Sequence, residues 1–199
     1  MSLFVKICGI TDGVAARTCV EAGADAIGFV FATSPRQLLP ADAASIASET
    51  PDSLLKVAVF RRPDRGDIER MLEGFTPDVI QADHDRLADD LAGDFELLPV
   101  YRQGVDPDPG GRRFLYEGPV SGVGATIEFA KAAEIARRGE MILAGGLTPA
   151  NVGEAIDRVR PFGVDVSSGV EAAPGRKDPE AIRAFIAAAR AAQERLVKT

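Results

Sequence analysis

Cysteine and histidine are scarce in this chain, and no apolar run approaches the length needed to cross a bilayer. Two cysteines, Cys8 and Cys19, and one histidine, His84, occur in 199 residues. Two thiols make no disulfide framework, so the fold must rest on a core rather than on staples. No His/Cys/Asp spacing reads as a ligand set, and neither a metal nor an organic cofactor is expected. Basic side chains are also in deficit, 23 against 30 acidic ones, for a formal net charge of −7. Such a balance repels phosphate backbones and anionic lipid at long range, which argues against nucleic acid and membrane surfaces as partners. A small anion is still a possible ligand, because a local field can oppose the net charge. The opening residues Met1–Lys6 lack the layout of a signal peptide, and a cytoplasmic location is expected.

What the chain does have is a regular alternation. Short β-branched and aliphatic runs predict strands at 3–8, 26–31, 54–60, 79–82, 97–101, 114–117, 141–144 and 164–167. Alanine-rich stretches of helical periodicity fill most intervals, as in Val14-Ala15-Ala16-Arg17-Thr18-Cys19-Val20-Glu21-Ala22. Gly23 and Gly139 follow two of these stretches as stop signals. Thr148 and Pro149 suit the N-cap and first helical position of another. Strands alternating with helices imply a parallel sheet covered on both faces. Eight such units at this length predict one domain, residues 1–199, of the (β/α)8 TIM-barrel class; an open doubly wound sheet is the alternative. The stretch Arg102–Gly111 is rich in Gly, Pro and Asp, so a loop is expected in place of the fifth helix. Residues 179–196 read as a long amphipathic helix packed on the outside.

In a barrel, chemistry sits at the C-terminal ends of the strands. Strand alternation then puts Lys6 with Cys8, Leu115 with Glu117, and Asp165 with Ser167 on common faces. This parity aims Cys8, Glu117 and Asp165 at the barrel axis near its mouth, leaving Val5, Ile7, Tyr116 and Val166 for the helix-facing side. Gly145-Gly146 and Ser167-Ser168-Gly169 end the seventh and eighth strands, where these barrels bind phosphate through backbone N–H groups. Ordinary glycine turns are the plainer alternative at both places.

Five blocks stand out together: Lys6-Ile7-Cys8-Gly9-Ile10-Thr11, the segment Gly23–Phe31, Ser34-Pro35-Arg36, Ala144-Gly145-Gly146-Leu147-Thr148-Pro149 and the segment Gly163–Glu171, extended by Pro174-Gly175 and Lys177-Asp178. Collectively they resemble the phosphoribosylanthranilate isomerase family. The resemblance implies a cofactor-free isomerase of tryptophan biosynthesis, monomeric or homodimeric, whose partner is a phosphoribosyl small molecule. The reaction implied is an Amadori rearrangement of N-(5′-phosphoribosyl)anthranilate. By similarity Cys8 is the general base and Arg36 meets the anthranilate carboxylate. Asp165 is a further substrate-binding residue, and Gly145, Gly146, Ser167, Ser168 and Gly169 hold the phosphate. Lys6 is a candidate to assist the Cys8 thiolate, or to pair with Asp165. Cys19 is read as structural.

The chain departs from the family at four places. Glu117 stands where the family has an aspartate as general acid, one methylene longer. The fourth strand ends Gln81-Ala82-Asp83-His84 rather than Gln-Leu-His-Gly, which moves His84 off the expected face and makes it a surface or helix-start residue. The third strand ends Phe60-Arg61-Arg62 rather than Val-Asn, and Ser121–Thr126 is a looser glycine block. Two alternatives carry these departures: a phosphosugar-binding paralogue that has lost catalysis, and a related barrel enzyme acting on another phosphosugar.

Overall fold

The computed structural model describes residues 2–86, 95–118 and 128–197. Eight parallel strands pair in chain order: β1 (Phe4–Cys8), β2 (Ala26–Val30), β3 (Leu55–Val59), β4 (Val79–Asp83), β5 (Glu96–Arg102), β6 (Arg113–Glu117), β7 (Glu140–Leu143) and β8 (Gly163–Val166). β8 returns to pair with β1, so the sheet closes into a barrel and the open doubly wound alternative falls. All eight expected strands are present, with no end displaced by more than a single residue.

Among the described residues six α-helices accompany them: α1 (Gly13–Ala22), α2 (Pro40–Ala47), α3 (Arg65–Leu72), α4 (Phe129–Ile135), α5 (Val152–Val159) and α6 (Pro179–Val197). Asp12 caps α1 by accepting from the Ala15 N–H, and Gly23 ends it at φ 84°, where a side chain would be strained. Between β5 and β6 residues 103–112 form turns and no helix, as their Gly/Pro content predicts. The start of α5 differs from expectation. Thr148 and Pro149 lie in a turn ahead of the helix, which Asn151 ties down by accepting from Thr148 N–H (2.7 Å) and donating to Gly146 O (2.9 Å). Past β8 a short antiparallel hairpin, β9 (Glu171–Ala173) and β10 (Arg176–Lys177), precedes α6. Among the described residues no helix is long and apolar enough to cross a membrane.

Strand alternation sorts the core into two layers. Val5, Ile7, Phe29, Tyr116 and Val166 point outward into the layer between sheet and helices, where α6 adds Ile182, Phe185 and Ile186. Ala26, Val57, Val79, Leu98, Val100, Leu115, Ile142 and Ala144 fill the interior. Lys6 pairs in register with Ala26 on one side and Asp165 on the other, so it too faces inward. Its side chain is wholly buried, and its ammonium donates to Asp165 Oδ1 at 2.8 Å. Burial alone would pull the Lys6 pKa down; Asp165 and the Cys8 sulfur outweigh it and hold the ammonium above its ordinary value. This ion pair bridges β1 and β8, the strands whose pairing closes the barrel. Removing one partner leaves the other charge buried alone, so Lys6→Met should destabilise the protein by about 3–5 kcal/mol in urea or guanidinium unfolding. A loss under about 1 kcal/mol, the usual worth of an exposed pair, would contradict this role.

Candidate active site

The C-terminal ends of the strands converge on one mouth. A cavity of about 220 Å³ there is lined by Cys8 (β1), Gln81 and Asp83 (β4), Arg102 (β5), Glu117 (β6), Asp165 and Ser167 (β8), with Arg36 and Arg61 from the loops after β2 and β3. A smaller cavity of about 50 Å³, lined by Gly145, Gly146, Ser167, Ser168 and Gly169, shares Glu117, Asp165 and Ser167 with it. The site residues expected from sequence therefore lie around two joined cavities. Gly169 lets the eighth loop lie against the seventh: a Cβ there would come 1.9 Å from Leu147 O.

Cys8 ends β1 and is 8% exposed. Burial is the largest influence on its thiol and raises the pKa; Lys6 and Lys177 pull it down and Asp165 pushes it up, for a net rise. The Lys6 ammonium is thus shared with Asp165 and does not by itself make Cys8 a thiolate. Cys19, fully buried in α1, is pushed up to about 12 by desolvation, in keeping with a structural role.

Arg36 reaches the mouth across Gly9, whose φ of +78° and missing Cβ leave room for it; a Cβ there would lie 2.5 Å from Arg36 Cδ. Its guanidinium makes a two-point contact with Glu171, Nε to Oε1 at 2.6 Å and Nη2 to Oε2 at 2.8 Å. Glu171 also accepts from the buried Lys177 ammonium at 3.0 Å. Burial alone would raise the Glu171 carboxyl; Arg36 and Lys177 outweigh it and hold it below the ordinary carboxylate range.

On the opposite wall Arg102 Nη2 donates to Asp83 Oδ1 at 2.7 Å, and its Nε lies 3.1 Å from Glu117 Oε1. Glu117 is therefore held by a guanidinium at the strand end where the acid is expected. Buried Gln81 Oε1 has no hydrogen-bond partner among the described residues and lines the same cavity. His84 lies outside that lining, in a single 3₁₀ turn, its ring stacked on Tyr101 at 4.5 Å. Arg62 is exposed and pairs with Asp85. The block Ser121–Thr126 lies outside the described residues. Among the described residues no three His, Cys, Asp or Glu side chains gather as a metal ion would require.

Sequence reasoning missed Asp83, Arg102, Glu171 and Lys177 as site residues. A signal existed for each. Asp83 follows Gln81 by two on β4, and Arg102 pairs in register with Glu117, so parity carries both to the mouth. Glu171 and Lys177 flank Pro174-Gly175, the turn of a hairpin that puts them opposite one another.

A closed (β/α)8 barrel with a thiol, carboxylates and arginines around its mouth and glycine-rich loops after β7 and β8 defines a barrel enzyme for a small anionic substrate. The profile of the PRAI family, N-(5'phosphoribosyl)anthranilate (PRA) isomerase, matches residues 5–188. An N-(5'-phosphoribosyl)anthranilate isomerase of Roseiflexus sp. (strain RS-1) is 41% identical over 211 residues, 96% of this chain and 99% of the relative. The phosphoribosyl anthranilate isomerase structure from Thermus thermophilus superposes with a TM-score of 0.85 at 30% identity, covering 94% of this chain and 98% of its own. Another isomerase structure, in complex with reduced 1-(o-carboxyphenylamino)-1-deoxyribulose 5-phosphate, matches with a TM-score of 0.81 at 34% identity, over 95% and 99% of the two chains. The chain belongs to the phosphoribosylanthranilate isomerase family.

A buried thiol with a raised pKa reacts slowly at neutral pH. Alkylation of Cys8 by iodoacetamide should accelerate with pH along a midpoint above the ordinary thiol value of about 8.5, while Cys19 stays unmodified. A midpoint near 7 or below, followed by peptide mass spectrometry, would show that Lys6 outweighs burial.

Proposed function

We propose that this protein converts N-(5′-phosphoribosyl)anthranilate into 1-(2-carboxyphenylamino)-1-deoxyribulose 5-phosphate, an isomerisation of tryptophan biosynthesis, as a cytoplasmic enzyme. The observation that carries the reading is the meeting of Cys8 and Glu117, from β1 and β6, on one cavity that joins the loops after β7 and β8. An Amadori rearrangement needs an acid at the ribose ring oxygen and a base at C2′, and an anchor for each anionic end of the substrate. Backbone N–H groups of Gly145, Gly146, Ser167, Ser168 and Gly169 suit the phosphate. Arg36, with two of its N–H groups held by Glu171, keeps Nη1 for the anthranilate carboxylate.

Glu117 donates a proton to the ring oxygen, and the C1′–O bond breaks as the nitrogen lone pair forms the C1′=N bond of an iminium. Cys8, as thiolate, then removes the C2′ proton; the electron pair moves into the C1′–C2′ bond and neutralises the iminium as an enolamine. Tautomerisation of the enolamine gives the ketone. No electrons leave the substrate, so proton transfers between side chains and ligand suffice. To deliver its proton, Glu117 has to be released from Arg102, and Asp83 is the carboxylate placed to keep that guanidinium. Asp165, engaged by Lys6 at one oxygen, faces the same ligand from β8.

The paralogue that binds without catalysis and the enzyme for another phosphosugar make different predictions from this one. The wild-type protein should consume phosphoribosylanthranilate, followed as the loss of the substrate's fluorescence. Cys8→Ser should abolish turnover with the fold intact, because a hydroxyl supplies no anion at neutral pH. Glu117→Gln should lower kcat by about 10²–10⁴, the worth of a positioned acid, with little change in affinity for the product. Wild-type turnover together with full activity in Glu117→Gln would remove Glu117 from the mechanism.

A further inference from the structure

One buried cation is tied to both halves of the ligand site without lining either cavity. Lys177 ends the β9–β10 hairpin with its side chain fully buried. Its ammonium donates to the Ser167 carbonyl at 2.9 Å and to Glu171 Oε1 at 3.0 Å, with Ser167 Oγ at 3.5 Å. Ser167 opens the segment Ser167–Gly169 that walls the small cavity, and its backbone leaves the strand at φ −124°, ψ −83°. Glu171 is the residue that grips two N–H groups of Arg36. The three donors of one ammonium thus fasten the loop after β8 on one side and, through Glu171, the arginine after β2 on the other.

The hairpin that carries Lys177 is itself pinned. Thr11 Oγ1 donates to Gly175 O at 2.8 Å, and Asp178 N–H donates to Val170 O at 2.9 Å. Gly175 packs on the loop that bears Arg36, since a Cβ on it would lie 2.4 Å from Pro35 O. The hairpin therefore bridges the loops after β1, β2 and β8. Lys177 is its buried charge, paired with Glu171.

From this geometry we infer that Lys177 is a positioning residue that sets the distance between the phosphate anchor at Ser167–Gly169 and the carboxylate anchor at Arg36, and so selects ligands that carry two anionic groups at that separation. Glu171 is the arm of this device toward Arg36 and does not touch the phosphate end. The inference rests on the proposed assignment of the two anchors. It makes Lys177 and Glu171 different in effect although they contact each other: removing Lys177 loosens both anchors, and removing the Glu171 charge loosens only one.

Two probes separate the ends, inorganic phosphate and the two-anion reduced 1-(o-carboxyphenylamino)-1-deoxyribulose 5-phosphate, titrated by calorimetry into wild type, Lys177→Met and Glu171→Gln. In Glu171→Gln the reduced analogue should bind about tenfold more weakly with phosphate affinity within about twofold of wild type; in Lys177→Met phosphate should weaken about tenfold and the analogue about a hundredfold, the scale set by hydrogen bonds to charged groups. A general loss of stability would weaken both probes alike in both variants, and that pattern overturns the inference. So does a folded Lys177→Met that binds both probes like wild type. Should Lys177→Met fail to fold, Glu171→Gln decides: unchanged affinity for the analogue, or an equal loss for both probes, overturns it. A wild-type protein that binds neither probe removes the anchor assignment, and the inference falls with it.

Discussion

The Lys6–Asp165 ion pair is the constraint around which the mouth of this barrel is arranged. Two opposite charges are buried in the interior at 2.8 Å, on the two strands whose pairing closes the sheet. Neither can be left alone there without a large desolvation cost, so the pair ties β1 to β8 in one register. That register sets where Cys8 and Ser167 fall, each two residues further along the chain. The same ammonium lies beside the Cys8 sulfur, so the group that secures the closure also sets the field at the thiol. Structure and chemistry share one cation, and burial with Asp165 raises the Cys8 thiol against the pull of Lys6 and Lys177.

The rest of the mouth repeats this arrangement of one charge divided between two partners. Arg102 is held by Asp83 and Glu117, Glu171 by Arg36 and Lys177. In a chain with net charge −7 these cations are gathered by tertiary contacts at one end of the barrel. The carboxylates that hold them prevent the uncompensated positive charge that would cost stability without a ligand. They also fix direction: a guanidinium pinned at two nitrogens can turn only its remaining N–H groups toward a ligand.

Two of the four departures from the family pattern share one wall of the mouth. Asp83 and Glu117 both lie on it, and both contact Arg102. The side of the mouth formed by β1, β8 and the β9–β10 hairpin carries the blocks that match the family pattern, and it holds Cys8, Arg36 and the glycine-rich loop.

The sequence by itself determined the eight strands, the missing helix between β5 and β6, and the parity that aims Cys8, Glu117 and Asp165 inward. These are local quantities: side-chain alternation, helix periodicity and turn formers are readable within a window of ten residues or so. It was wrong by a few residues at the start of α5, where the side chain of Asn151 makes a turn out of a segment whose Thr-Pro reads as a helix start. Only the tertiary structure decided who pairs with whom. Lys6 meets Asp165 across 159 residues and Arg36 meets Glu171 across 135. Strand parity leaves Lys6 open between Cys8 and Asp165 and offers Arg36 no partner, because charge pairing is a matter of distance in space, and the barrel's closure is what brings the first strand and the last to the same 3 Å.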